Sequence, residues 1–234
     1  MSDQRRDQIE AGLAAVRDRI ERACTASGRS SSEITLVVVT KFFPASDVRL
    51  LADLGVLHVG ENRHQEAVEK AAECAELGLD WHFIGALQSN KAAAVAGYSS
   101  VVESVDRAKV LRGLSRGAQE QDKELDCLVQ VSLDPPGASG RSGAELDQVR
   151  ALAELVLETD GLRLRGVMGV APLGGDARGA FARLGETASA VRLMEPAATW
   201  VSAGMSGDLE EAIHERATHL RIGSAVLGPR PVVK

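Results

Sequence analysis

The sequence has few aromatic residues, few cysteines and no long apolar run. Aromatic side chains make up 3% of the 234 residues, and Tyr98 is the single tyrosine. Cys24, Cys74 and Cys127 are odd in number and widely spaced, so they match no zinc or C-x-x-C pattern. No run approaches about 18 uninterrupted apolar residues, and the first residues contain no apolar signal core. These absences predict a cytoplasmic protein with reduced cysteines, no bound metal and no membrane span.

The composition that is present predicts a folded, acidic protein. Hydrophobic residues make up 44% and charged residues 26%, which is enough for a sizeable core and unlike a disordered chain. The net charge of −6 argues against a general binder of nucleic acid or of anionic membranes. We expect a soluble monomer.

The chain begins with an amphipathic pattern. Ile9, Leu13, Val16 and Ile20 recur at helical spacing with charges between them, which predicts a helix from residue 3 to about residue 26. The pattern leaves the place of this helix open, because it can cover one end of the fold or bind a partner.

Short segments rich in β-branched residues then alternate with longer amphipathic segments. The predicted strands are 34–40, 56–60, 81–85, 100–105, 127–132, 162–170, 199–203 and 218–222. The predicted helices are 45–54, 62–77, 88–96, 106–121, 142–159, 176–194 and 206–216. Ser142 followed by Glu145 predicts a capping box for one of these helices.

Eight strands, each followed by a helical or terminal segment, predict an α/β fold of parallel βα units. Eight is the number that closes a (β/α)8 TIM barrel, so we expect one such barrel over 1–234 with an extra N-terminal helix. An open doubly wound sheet is the alternative, but no G-x-G-x-x-G motif follows the first strand. The turn-rich segment 134–143 is the loosest part, and its Arg141 is either a mobile contact or a solvated charge.

Lys41 closes the first strand. Val37, Val39 and Lys41 share one face by the two-residue period of a strand, so the lysine points into the barrel if the valines line it. A partly desolvated lysine has a lowered pKa, and its neutral amine can form an imine with an aldehyde. A lysine that reaches solvent from a strand end explains the position equally well.

Polar residues also close the second and third strands. Asn62 follows Gly60 and Glu61, and it can either contact a ligand or cap the next helix. His82 lies within the third strand, where a hydrogen-bonded core histidine is the simpler interpretation.

The loops after strands 7 and 8 contain small residues and hydroxyl groups. The segments 204–207 and 223–225 read Gly-Met-Ser-Gly and Gly-Ser-Ala, and each opens a helix. Free N–H groups at such positions bind anions, and barrels of this class often hold phosphate on these two loops. Ordinary capping and tight turns are the alternative explanation.

Arg221 ends strand 8 and needs an acceptor, which can be a carboxylate or a ring nitrogen of a ligand. The predicted ligand follows from three features together: a lysine that can form an imine, two loops that can bind phosphate, and this arginine. They indicate an aldehyde that carries a phosphate. Pyridoxal 5′-phosphate (PLP) and phosphorylated sugars both fit.

Six segments together resemble the pyridoxal phosphate homeostasis proteins. They read VVVTKFFPASDV, HVGENRHQE, WHFIGALQSNK, GVMGV, SAGMSGDLEEAI and LRIGSAVLG, in the order of that family. The resemblance implies a single-domain barrel similar to the N-terminal domain of bacterial alanine racemase, with PLP as cofactor. It implies a role in the homeostasis of that cofactor within the cell, without a robust enzymatic activity.

The resemblance also assigns residues to the cofactor. It implies that Lys41 carries PLP as a Schiff base, that the loop residues hold the phosphate, and that Arg221 lies near the pyridine nitrogen. The predicted site consists of Lys41, Asn62, Met168, Ser206, Arg221, Gly223 and Ser224.

Two features favour a carrier or regulator over an enzyme. A racemase needs a second base opposite the lysine, and Tyr98 precedes strand 4, at the N-terminal end of the barrel. An arginine at the ring nitrogen also weakens the ring as an electron sink. We therefore expect no catalytic residues, and transient contacts with apo-enzymes that receive PLP. A weak PLP-dependent racemase or lyase and a cofactor-free lysine aldolase are the alternatives.

Overall fold

The chain folds as a closed barrel. The computed structural model describes residues 2–135 and 142–230. Eight parallel strands pair in chain order, and β8 pairs with β1 to close the ring. The strands are β1 Thr35–Val39, β2 His58–Glu61, β3 Asp80–Phe83, β4 Val101–Val105, β5 Leu125–Val131, β6 Leu162–Gly169, β7 Trp200–Ser202 and β8 His219–Ile222. The predicted (β/α)8 TIM barrel is confirmed.

A helix follows every strand. The helices are α1 Ser2–Ala26, α2 Ala45–Asp53, α3 His64–Glu73, α4 Ala92–Tyr98, α5 Leu111–Glu120, α6 Val149–Leu157, α7 Ala177–Met194, α8 Leu209–His214 and α9 Ser224–Leu227. The helix after β8, α9, has only 4 residues. It is therefore too short to cover the outer surface between β8 and β1.

The N-terminal helix α1 covers that surface instead. It buries Ile9, Leu13 and Val16 and packs against α8 and α9 on one side and α2 on the other. Its N-terminal end is tied to α2, because Arg5 Nη2 lies 2.5 Å from Asp47 Oδ2. The extra helix therefore lies along the side of the barrel, in the place that a full eighth helix would take, and does not cover one end of it.

The largest difference from the predicted elements follows β5. The helix predicted over 142–159 begins only at Val149. Ala144 instead forms a parallel bridge with Val131, and Gln130 Nε2 donates to the Ser142 carbonyl at 2.6 Å. The capping box predicted for Ser142 is wrong, because the backbone there finds its partners in the sheet. Arg141 lies outside the described residues.

The strand faces that point outward pack against the helices and form the main apolar core. The inward faces form a smaller apolar cluster of Val101, Leu128 and Met168, beside a set of buried polar side chains. The barrel interior is thus partly polar, and its polar groups connect with the cavity at the carboxyl ends of the strands.

Candidate functional site

A cavity of about 300 Å³ lies at the carboxyl ends of β1, β3, β7 and β8. Five of the seven predicted site residues line it, namely Lys41, Ser206, Arg221, Gly223 and Ser224. Residues that come from opposite ends of the sequence thus meet at one rim, because β8 pairs with β1. This volume is at the small end of the range of ligand pockets and suits a single ring with one phosphate.

Lys41 lies two residues beyond the last residue of β1 and faces this cavity. Partial burial lowers the pKa of its ammonium group, and the positive charges of Arg230 and Arg63 lower it further. Glu61 and Glu66 act in the opposite direction. The result is a larger neutral fraction of the amine, which is the form that attacks an aldehyde.

Three cations surround the ring of Phe42 beside the cavity. The guanidinium carbons of Arg63 and Arg230 each lie 4.9 Å from the ring centroid, and Lys41 Nζ lies at 6.0 Å. Neither arginine forms an ion pair with another described residue. Arg230 also lines the cavity. Arg230 was not predicted as a site residue, because it lies beyond the last predicted strand.

The loops after β7 and β8 form one wall of the cavity. The hydroxyl oxygens of Ser206 and Ser224 lie 3.4 Å apart, and Ala225 N–H points at Ser206 Oγ from the same distance. The backbone N–H groups of Ser206, Gly207 and Ser224 donate to none of the described residues. These donors are therefore available to an anion in the cavity.

Gly204 lets the β7 loop turn back onto the barrel. Its φ of +91° disfavours other residues, and a Cβ there would lie 2.6 Å from Ala212 Cβ in α8. The two carboxylates near this loop do not enter the cavity. Asp208 accepts the Met205 N–H at 2.6 Å, and Glu210 pairs with Arg19 on α1.

Arg221 is held inside the barrel by acceptors on three strands. Its Nη1 donates to Ser202 Oγ at 2.6 Å and its Nη2 donates to the Gly169 carbonyl at 2.8 Å. Glu103 Oε2 lies 3.7 Å from Nη1 and accepts the Ser202 hydroxyl at 2.5 Å. Arg221 is only 4% exposed, so its direction is fixed by these contacts.

Glu103 connects this arginine with two histidines. His82 Nδ1 donates to Glu103 Oε1 at 2.7 Å, and His58 Nδ1 lies 3.1 Å from the other ring nitrogen of His82. His82 is therefore a hydrogen-bonded core histidine, as expected. Despite its burial, Glu103 has a pKa lowered to about 2 by His82, Arg221 and Ser202. The sequence carried a signal for Glu103, since it is a charge in the otherwise uncharged segment VVESV.

Asn62 and Met168 do not line the cavity. Asn62 is no helix cap, because α3 begins at His64 with Arg63 before it, and the buried Asn62 Oδ1 finds no partner among the described residues. Met168 is 1% exposed in the interior cluster with Val101 and Leu128. Their contacts with a ligand ring stay predictions.

Tyr98 lies outside the cavity as well. It ends α4 before β4 begins, and its ring stacks on His64 with the ring centroids 5.9 Å apart. Burial and the charge of Glu61 raise the pKa of its hydroxyl. Tyr98 is therefore not among the residues that line the cavity with Lys41.

Over residues 2–135 and 142–230, no three or more His, Cys, Asp and Glu side chains are grouped so that they could hold a metal ion. Among the helices of these same ranges, none combines the length and the apolar character needed to cross a bilayer.

Comparison with known proteins shows the family of this chain. The profile of the alanine racemase N-terminal domain matches residues 12–231. A pyridoxal phosphate homeostasis protein from Mycobacterium tuberculosis is 40% identical over 97% of this chain and 94% of its own length.

Two solved structures share the fold over nearly their whole length. An unknown protein from Bifidobacterium adolescentis has a TM-score of 0.88 at 30% identity, covering 97% of both chains. PipY from Synechococcus elongatus, solved with PLP bound, has a TM-score of 0.81 at 32% identity, covering 94% of this chain and 100% of PipY. This chain belongs to the alanine racemase N-terminal domain family and, within it, to the pyridoxal phosphate homeostasis proteins.

Proposed function

We propose that this protein binds PLP as a Schiff base on Lys41 and acts as a carrier or regulator of the cofactor in the cytoplasm. One observation carries the proposal: a half-buried lysine with a lowered pKa faces a small cavity, and the loops after β7 and β8 line that cavity with hydroxyl groups and with N–H groups that donate to none of the described residues. A bound PLP supplies an aldehyde for reversible imine formation and an aromatic ring that can accept electrons.

Each part of the cavity has a distinct task in this proposal. Lys41 Nζ forms the C=N bond with the aldehyde carbon, and the aldehyde oxygen leaves as water. Ser206, Gly223 and Ser224 hold the phosphate, with Arg230 adding positive charge at the same rim. Arg221 faces the ring nitrogen and is itself held by Ser202 and Glu103. Asn62 does not line the described cavity, so its contact with the cofactor ring would require PLP to extend beyond that lining towards the Asn62 oxygen, which finds no partner among the described residues.

The absence of a second base among the described cavity residues supports a carrier over a fast catalyst. Lys41 is the only side chain of the described cavity lining that can serve as a base near neutral pH, since the other ionisable ones are Arg221 and Arg230. A fixed guanidinium at the ring nitrogen also opposes protonation of that nitrogen. This arrangement favours binding and release of PLP over abstraction of a substrate proton.

The purified protein should absorb in the visible range as an imine, and Lys41→Ala should abolish that absorbance. Borohydride reduction followed by peptide mass spectrometry should place the cofactor on Lys41. A matched control is Lys123→Met, because Lys123 is also half-buried but donates to the carbonyls of Gly97 and Ser99, which precede β4 at the other end of the barrel. An unchanged spectrum in Lys41→Ala would overturn the proposal.

The carrier role is tested by transfer. When the PLP-loaded protein is mixed with an excess of an apo-enzyme that requires PLP, the activity of that enzyme should appear at the rate at which the imine absorbance decays. Direct transfer should also restore this activity faster than free PLP does. Size-exclusion chromatography with light scattering tests the expected monomer. The cytoplasmic assignment is supported by Cys24, Cys74 and Cys127, which are buried and free in the fold.

A second candidate is a weak PLP-dependent racemase or lyase. The observation that favours it is the pair of arginines, Arg63 and Arg230, which form no ion pair with another described residue and can attract the carboxylate of an amino acid to the side of Lys41. Deuterium exchange at the α-carbon of an amino acid, lost in Lys41→Ala, would support this activity. No exchange at saturating PLP would rule against it.

A further inference from the structure

The turn that presents Lys41 has a strained backbone. Residues 40–43 form a turn after β1, closed by a hydrogen bond of 3.0 Å from Phe43 N to the Thr40 carbonyl. Phe42, directly after Lys41, has a φ of +71°, a left-handed conformation that bulky residues rarely adopt. Such a conformation persists only where the surrounding structure fixes it.

Lys70 from α3 supplies that support. Its Nζ donates to the Thr40 carbonyl at 2.9 Å, to Glu66 Oε1 at 2.9 Å and to Glu61 Oε1 at 2.5 Å. These three acceptors match the three N–H bonds of an ammonium group, so the hydrogen-bonding capacity of Lys70 is fully used. It is therefore a structural cation and no competing nucleophile.

The two carboxylates that bind Lys70 also bind the turn. Glu61 Oε1 accepts the Thr40 hydroxyl at 2.6 Å, and Glu66 Oε1 accepts the Phe42 backbone N–H at 2.5 Å. The residues on both sides of Lys41 are therefore fixed by the same cluster, which we call the Lys70 cluster: Glu61, Glu66 and Lys70.

Two members of the Lys70 cluster are buried, at a cost in desolvation. Lys70 is 5% exposed and Glu61 is 1% exposed, and removing such charges from water is costly. Replacing a buried ion pair with apolar residues is often neutral or stabilising, so stability alone does not explain it. The polar contacts of the Lys70 cluster converge on the turn of Lys41, where the direction of one side chain matters for chemistry.

We propose that Lys70 is a positioning residue for Lys41, and that the Lys70 cluster sets both the direction of its amine and the charge around it. This inference rests on the proposed function, in which Lys41 forms the imine. It adds two acidic residues and one lysine, none of which lines the cavity, to the groups that control imine formation.

Two substitutions should change the pKa of Lys41 in opposite directions. Lys70→Met releases the turn, so Lys41 should become more solvated and its pKa should rise towards the ordinary value. Glu66→Gln keeps an acceptor for the Phe42 N–H but removes a negative charge, so the pKa of Lys41 should fall. A change of one pKa unit alters the neutral amine about tenfold near neutral pH.

Competitive labelling of the cofactor-free protein with acetic anhydride, read by mass spectrometry of the Lys41 peptide, measures this pKa without PLP. Imine absorbance after mixing with PLP at pH 7 should develop about tenfold more slowly in Lys70→Met than in the unmodified protein. Lys123→Met should leave both measurements unchanged, because its ammonium group contacts carbonyls far from this turn.

The outcomes separate the two proposals. No imine in the unmodified protein overturns the proposed function, whereas the labelling series still tests the positioning role. Unchanged labelling and unchanged imine formation in a folded Lys70→Met overturn the positioning role alone. If Lys70→Met does not fold, labelling of Lys41 in Glu66→Gln and Thr40→Val tests the positioning role instead, since both substitutions preserve most of the packing. Equal shifts of the Lys41 pKa, with the same sign, in Glu66→Gln and Thr40→Val would contradict the inference.

Discussion

At the scale of single residues, the site depends on buried charges that do not touch a ligand. Glu103 is 0% exposed and lies between His82 and Arg221 in the barrel interior. A carboxylate in this place is stable only because both neighbours donate to it or attract it. Those contacts lower the pKa of Glu103 to about 2 although burial alone would raise it.

We expect Glu103→Gln to destabilise the protein by about 3 kcal/mol, because it leaves Arg221 buried without its carboxylate. The affinity for PLP should fall as well, since Arg221 then moves from its fixed direction. Urea denaturation of the cofactor-free protein and an absorbance titration with PLP measure the two effects.

Glu154→Gln is the matched control for that substitution. Glu154 pairs with Arg150 one helical turn away on the surface of α6, and such exposed pairs contribute about 0.5 kcal/mol or less. Equal effects of Glu103→Gln and Glu154→Gln on the free energy of unfolding would refute the structural role assigned to Glu103.

At the scale of elements, helix α1 packs on the outside of the barrel against α9, the helix that begins at the cavity. Gly12 lies where α1 crosses α9, and a Cβ on it would lie 2.4 Å from the Val226 carbonyl oxygen. Helix α9 begins at Ser224, which lines the cavity. The packing of α1 is thereby linked to the wall that is proposed to hold phosphate.

Gly12→Ala should destabilise the protein by about 1–3 kcal/mol through overpacking and should displace α9. The affinity for PLP should then fall more than the affinity for pyridoxal, which has no phosphate. The matched control is Gly97→Ala in α4, where a Cβ meets nothing within 4 Å and about 0.5–1 kcal/mol of stabilisation is expected. Equal losses of affinity for PLP and for pyridoxal in Gly12→Ala would contradict the link between α1 and the cavity wall that is proposed to hold phosphate.

The elements also show what the sequence could predict. The strand pattern identified β1 to β8 because each is a short β-branched segment between turn signals, and the two-residue period placed Lys41 and Arg221 on the inner face. The partners of those residues were not predictable in this way. Glu103 reaches Ser202 across 99 positions of the chain, and only the closure of the barrel brings the two together. The start of α6 was missed because residues after β5 pair with the sheet.

At the scale of the whole molecule, the polar interior links stability to pH. His219 is 4% exposed, and burial lowers its pKa to about 3. In the unfolded chain a histidine titrates near pH 6.5, so between pH 6.5 and 3 the unfolded state binds a proton that the folded state does not. Glu103 acts in the same direction at lower pH, because its carboxylate resists protonation from its ordinary value down to about 2.

Acidification should therefore destabilise the fold well before the surface carboxylates are protonated. From pH 6.5 to pH 5, His219 alone should remove about 2 kcal/mol from the free energy of unfolding, and His58, whose pKa burial also lowers, adds to the loss. Urea denaturation at pH 7, 6 and 5 measures the slope. His219→Gln should flatten it, whereas His214→Gln, at an exposed position of α8, should not. A stability that does not change between pH 7 and 5, or an equal slope in His219→Gln, would show that the interior does not exclude the proton.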